Sequence, residues 1–88
     1  MAELTVSIVS ADSEVWSGTA SMIVARTTEG EIGILPGHEP VLAILAEGEV
    51  RVTITGGKPV VANAADGFLS VEHDTVTIVA RNAELVSH

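Results

Sequence analysis

Two carboxylates, Glu29 and Glu31, stand two positions apart in Thr27-Thr28-Glu29-Gly30-Glu31. On an extended strand both would leave the same side, with Cα atoms roughly 6.5 Å apart. Carboxyl pairs ~5–9 Å apart carry out glycoside hydrolysis, so a stand-alone hydrolase is one reading of the pair. Aromatic residues make up only 2% of the chain, too few for a sugar-stacking platform, and a solvated acidic patch that meets a partner is the stronger reading. The histidines are His38, His73 and His88. His38 lies between Pro36 and Pro40, where a stiff turn could aim its imidazole; His73 lies between Glu72 and Asp74 in a turn. A metal at His73 would need a third ligand that the sequence does not identify, so no metal site is assigned.

Lys58 is the only lysine and is placed at a hairpin tip, in Thr55-Gly56-Gly57-Lys58-Pro59. A small acidic β fold presenting a lysine at a turn suits a lipoyl- or biotinyl-like carrier, which is the alternative function. Carrier lysines are normally flanked by acidic or methionine residues, whereas Gly57 and Pro59 flank this one. The same stretch is not a phosphate loop: Val52 stands where its first glycine belongs and Pro59 where its Ser or Thr belongs. No Gly-x-Ser-x-Gly elbow supports a serine nucleophile, and there is no cysteine. Trp16 and Phe68 are expected in the core, and no cofactor is expected.

The elements that must hold these residues follow a period of two. Val50-Arg51-Val52-Thr53-Ile54-Thr55 alternates apolar and polar side chains without exception, the pattern of a strand with one buried face. Leu4, Val6 and Ile8 alternate with Thr5 and Ser7, and Val76, Ile78 and Ala80 alternate with Thr75, Thr77 and Arg81. Met22 to Arg26 and Val60 to Ala62 are further strands, less regular but rich in β-branched residues. Turn chemistry separates the runs at Asp12-Ser13-Glu14, at the corner from Pro36 to Pro40, at Glu47-Gly48-Glu49, Gly56-Gly57, Asp66-Gly67 and Glu72-His73-Asp74. Val41-Leu42-Ala43-Ile44-Leu45-Ala46-Glu47 is composed of good helix formers behind Pro40, but Gly48 limits it to about two turns, and sheet surroundings favour a strand. The sum is one all-β domain over residues 1–88, a flattened antiparallel β-sandwich or barrel of about ten short strands.

Twelve acidic residues against four basic ones give a net charge of −8. That balance excludes nucleic acid, whose phosphates need clustered Lys and Arg, and disfavours insertion into an anionic lipid surface. A polar or basic protein patch fits better. The longest apolar run, Val41 to Ala46, falls far short of the ~20 residues that span a bilayer. The start, Met1-Ala2-Glu3-Leu4, has no basic region of the kind that opens a signal peptide, and a cytosolic location is expected.

The stretch Glu29-Gly30-Glu31-Ile32-Gly33-Ile34-Leu35-Pro36-Gly37-His38-Glu39-Pro40-Val41-Leu42 resembles the N-terminal β-sandwich domain of the ε subunit of F-type ATP synthase. It carries that family's acidic Glu-Gly-Glu turn, hydrophobic-Gly-hydrophobic strand and Pro-x-His-x-Pro corner. Val15-Trp16-Ser17-Gly18 is similar to the family's aromatic-Ser-Gly turn, and Gly67-Phe68-Leu69-Ser70-Val71 and Thr77-Ile78-Val79-Ala80 are similar to its last two strands. Asp66 stands where many members have a second glycine. Members commonly continue into a C-terminal helical hairpin, and this sequence ends where that hairpin would begin. Its inhibition of ATP hydrolysis and its ATP binding are therefore not assigned to these residues. The resemblance implies a non-catalytic rotor subunit of the central stalk, held by the γ subunit and resting on the polar loops of the membrane c-ring. It would be peripheral, at the cytoplasmic face of the cell membrane. By match to the family motif, Glu31 is the main candidate for c-ring docking, with Glu29, Gly30 and His38 beside it.

Overall fold

Residues 3–54 and 56–86 of the computed structural model are described below; Met1, Ala2, Thr55, Ser87 and His88 lie outside the described residues. The alternating runs become eight strands, with no helix among the described residues: β1 (Leu4–Ser10), β2 (Glu14–Ala20), β3 (Met22–Thr27), β4 (Gly30–Ile34), β5 (Val41–Ile44), β6 (Gly48–Thr53), β7 (Val60–Glu72) and β8 (Thr75–Leu85). They form one hydrogen-bonded sheet in the order β2-β1-β8-β7-β6-β3-β4, with β5 paired to β7 off that path.

The sheet folds over because β7 and β8 are long and belong to two layers. Residues 67–72 of β7 pair with β8 on one side, and residues 68–71 pair with β5 on the other; residues 60–64 pair with β6 instead. β8 pairs with β1 over residues 75–80 only. One layer is therefore β2-β1-β8-β7-β5 and the other β8-β7-β6-β3-β4. Inward-facing residues of both layers meet in a core of aliphatic side chains, among them Leu4, Val6, Ile8, Ile23, Ile34, Val50, Val52, Leu69, Val71, Val76 and Ile78, all at most 2% exposed.

Several expectations are corrected. Among the described residues there are eight strands rather than about ten, and two of them are long: β7 has 13 residues and β8 has 11. Asp66-Gly67 does not end a strand. Asp66 takes a left-handed φ of 60° within β7, and the ladder pairs Ala65 with Asn82 and Gly67 with Ala80 in unbroken register, so the residues bend the strand. Pairing is antiparallel except between β1 and β8, which run parallel. Ser17-Gly18 is strand rather than turn, and the Trp16 ring lies over Gly18, whose missing side chain makes room for it. Trp16 is only half-buried, at the margin of the core. Phe68 is 39% exposed, because Leu69 and Val71 occupy the inward positions of β7 and strict alternation turns Phe68 outward. Val41–Ile44 is the strand expected there, its backbone groups taken up by β7, though it stops at Ile44 rather than running on to Glu47.

Candidate functional site

The Glu-Gly-Glu segment is the tip of the β3–β4 hairpin. Thr27 pairs with Gly30 and Arg26 with Glu31, leaving Thr28 and Glu29 as the turn. Gly30 has φ 117°, a conformation open to glycine and strained for other residues, which explains a glycine between two glutamates. Beneath the tip lies Thr27, a buried polar residue at 7% exposure. Its Oγ1 donates to the Gly30 carbonyl at 2.7 Å and accepts the Glu29 N–H at 3.2 Å. The hairpin end is tied to the last residue of β5 and the stretch just after it: Thr28 N–H donates to the Ile44 carbonyl and Ala46 N–H to the Arg26 carbonyl, each at 3.0 Å. The result is a short, pinned projection.

Glu29 and Glu31 are both exposed. Glu29 lies in the turn and only Glu31 on the strand, so the two do not form the one-sided strand pair that the hydrolase reading requires. Neither joins the close pairs seen among the described residues, Arg51–Glu49 at 3.2 Å and His73–Glu72 at 3.7 Å. These two carboxylates project into water with their charge available to a partner.

His38 does not join them. It lies in the corner that follows β4, while the acidic tip runs from the turn into the first two residues of β4, and the two ends of that five-residue strand are roughly 13 Å apart along extended chain. There His38 is half-buried, its N–H donating to the Leu35 carbonyl at 3.1 Å and its Nδ1 lying 2.7 Å from the Glu39 carbonyl oxygen. The structure thus brings Glu29, Gly30 and Glu31 together and places His38 apart. Lys58 is exposed in the connection from β6 to β7, at the rim of a groove with Trp16, Pro59, Val60 and Leu85. Nothing around it favours the carrier reading.

A second surface was not singled out by the sequence. On the outer face of the β1-containing layer, Ile44 of β5, Phe68 of β7, Val79 of β8 and Val9 of β1 are consecutive register partners, forming one apolar row across four strands. The next row holds Leu42, Ser70, Thr77 and Ser7, with no charge. Leu42 is 73% exposed and Ile44 59%. The outer face of the other layer is unlike it, carrying Glu31 opposite Arg26 and Glu49 opposite Asn63. In a chain of 16 charged residues, these two uncharged rows, bordered by Glu14 beside Val9 and by Glu72 one row further on, form a candidate contact surface. The signal was present: Leu42 and Ile44, like Phe68, are apolar at positions whose neighbours Ala43 and Leu69 already face inward, so these strands are apolar on both sides.

The ATP synthase Delta/Epsilon chain β-sandwich domain family matches residues 3–86. The chain is 58% identical over 85 residues to an ATP synthase epsilon chain of Micrococcus luteus, covering 97% of this chain and 93% of the relative. It is 52% identical over 86 residues to an ATP synthase epsilon chain of Rhodococcus opacus, covering 97% of this chain and 70% of the relative. Among solved structures, a chain in the cryo-EM structure of the Euglena gracilis mitochondrial ATP synthase (OSCP/F1/c-ring, rotational state 1) superposes with a TM-score of 0.89 at 30% identity, over 97% of this chain and 54% of that one. A chain of the central stalk/c-ring of the Tetrahymena thermophila mitochondrial ATP synthase shares the fold, with a TM-score of 0.75 at 18% identity, over 91% of this chain and 64% of that one.

Proposed function

The chain belongs to the ATP synthase delta/epsilon chain β-sandwich family, and on that premise we propose that it is a non-catalytic central-stalk subunit coupling proton flow to ATP synthesis. The observation that carries the proposal is the division of the surface into two adjoining uncharged rows, largely apolar, and a separate acidic tip. The apolar row of Ile44, Phe68, Val79 and Val9 docks on the γ subunit, where burial of exposed aliphatic area contributes ~25 cal/mol per Å². The acidic tip of Glu29, Gly30 and Glu31 rests on the polar loops of the c-ring, with Glu31 the principal contact and His38 a second contact from the far end of β4. Docked in this way, the protein is peripheral at the cytoplasmic face of the membrane and inserts nothing into lipid. Its work is to be stiff: two strands shared between both layers transmit rotation with little internal give.

One pair of variants tests both contacts. Ile44→Ser places a hydroxyl in the apolar row and is expected to lower co-purification with γ at least tenfold while leaving the fold intact. Glu31→Lys reverses the charge of the tip and is expected to weaken membrane retention of the subunit and to reduce proton-coupled ATP synthesis. The expected loss is modest, since a single rim charge contributes under ~1 kcal/mol. Unchanged γ binding in the first variant, or unchanged retention and synthesis in the second, removes the corresponding contact.

A further inference from the structure

The β7–β8 connection is a two-residue hairpin closed by the pair Glu72 and Thr75, and both of its central residues are left-handed: His73 at φ 49° and Asp74 at φ 59°. A turn of this kind favours Asn followed by Gly, because a side chain at the second position is conformationally costly. Asp74 occupies that second position, where an Asp side chain is tolerated but less favourable than glycine. A side chain held at such a position directs attention to what it bonds. Asp74 Oδ1 accepts the Gly37 N–H at 2.7 Å, a bond between residues 37 positions apart in sequence. The Asp74 carbonyl also accepts the Thr5 N–H at 2.8 Å, which anchors the turn to β1.

The corner that Asp74 reaches has few bonds of its own. It carries the chain from β4 in one layer to β5 in the other over residues 35–40. Pro36 and Pro40 have no N–H to give. Within the corner, a single backbone hydrogen bond is present among the described residues, from His38 N–H to Leu35. β5 follows at once, and with four residues it is the shortest strand in the sheet. Its side chains Leu42 and Ile44 are the most exposed part of the apolar face.

We propose that Asp74 is the positioning residue of this docking face: its carboxylate ties the inter-layer corner to the β7–β8 turn and so sets where β5 begins and how it presents Leu42 and Ile44. The proposal rests on reading that face as the γ contact. It assigns to Asp74 no contact with the partner itself. Asp74 acts through Gly37 and β5.

The full chain carrying Asp74→Gly removes the carboxylate while giving the turn a residue that adopts a positive φ without strain, so the fold is expected to persist. Asp74→Asn keeps an acceptor oxygen and serves as the rescue. Amide hydrogen exchange is read at Gly37, with Leu69 and Ile78 as core references, alongside affinity for isolated γ subunit. Asp74→Gly is expected to speed exchange at Gly37 by tenfold or more, to leave Leu69 and Ile78 unchanged, and to weaken γ binding three- to tenfold; Asp74→Asn is expected to stay within about twofold of the parent in both. Unaltered Gly37 exchange in Asp74→Gly overturns the proposal. So does unaltered γ affinity in Asp74→Gly when Ile44→Ser does weaken binding. If Ile44→Ser is silent as well, the docking face itself falls, and the accelerated exchange at Gly37 identifies that failure as distinct from failure of the tie.

Discussion

At the scale of single residues, the side chains proposed to meet a partner are held by others with no such role. Glu29 and Glu31 are identifiable from the Glu-Gly-Glu motif alone, yet what keeps them in place is the Thr27 hydroxyl, bonded to the Gly30 carbonyl and the Glu29 N–H. Thr27→Val keeps the branched shape that fills the buried position and deletes both bonds. Because the turn is open to water, the released groups rehydrate, and the stability cost is expected to be about 1 kcal/mol. The informative effect is local: exchange of the Glu29 amide should accelerate, and membrane retention should fall toward that of Glu31→Lys, with Thr27→Ser restoring both. Exchange mapping combined with a retention assay checks this. Thr27 was not legible in the sequence because a threonine before a turn looks the same whether its hydroxyl points to water or under the backbone. That choice depends on Leu45, which lies between β5 and β6 and bridges to Thr27 from many residues away.

At the scale of elements, the sequence spoke clearly about faces and poorly about breaks. Alternation in Val50-Arg51-Val52-Thr53 and in Thr75 to Ala80 correctly assigned inward and outward sides, since period two is a local property. Asp66-Gly67 was misread as a turn because its composition is that of a turn; whether such a dipeptide ends a strand or bends it depends on whether the neighbouring strand continues alongside, as β8 does here. Gly67 shows why glycine is required at the bend. A Cβ built there would lie 1.8 Å from the Val79 carbonyl oxygen and 2.5 Å from Ala80 Cα, both backbone atoms of β8 that have no rotamer to yield. Gly67→Ala must therefore push β7 and β8 apart at the point where both layers join. The expected cost exceeds ~4 kcal/mol, the range of exceptional single substitutions, and urea denaturation of the variant against the parent measures it. Gly33, also in a strand, has open space around its Cα and should tolerate alanine in the same experiment.

At the scale of the whole molecule, charge is distributed rather than merely excessive. The net −8 pointed away from nucleic acid and anionic lipid as partners, but it did not say which rows of the surface carry no charge. That depends on cross-strand register: Ile44, Phe68, Val79 and Val9 are scattered through the sequence and become a stripe only when β5, β7, β8 and β1 are laid side by side. The motif-bearing tip was legible because it is contiguous, and the apolar face was not because it is assembled. The same logic separates His38 from Glu31, seven residues away in the chain: Glu31 is at the start of β4 and His38 lies beyond its end.

The parallel alignment of the first and last strands has a further consequence. From Thr5 beside Thr75 to Ser10 beside Ala80, β1 and β8 point the same way, so tension applied through the two ends of the chain slides one strand past the other. Every bond of that ladder is then loaded in shear at once, whereas antiparallel neighbours pulled from a shared end unzip one bond at a time. Single-molecule stretching from residues 3 and 86 should accordingly give a higher rupture force than stretching from residues 29 and 73, where hairpin tips are the handles. A subunit that must survive torque at every revolution would, by this geometry, carry its own tensile clasp.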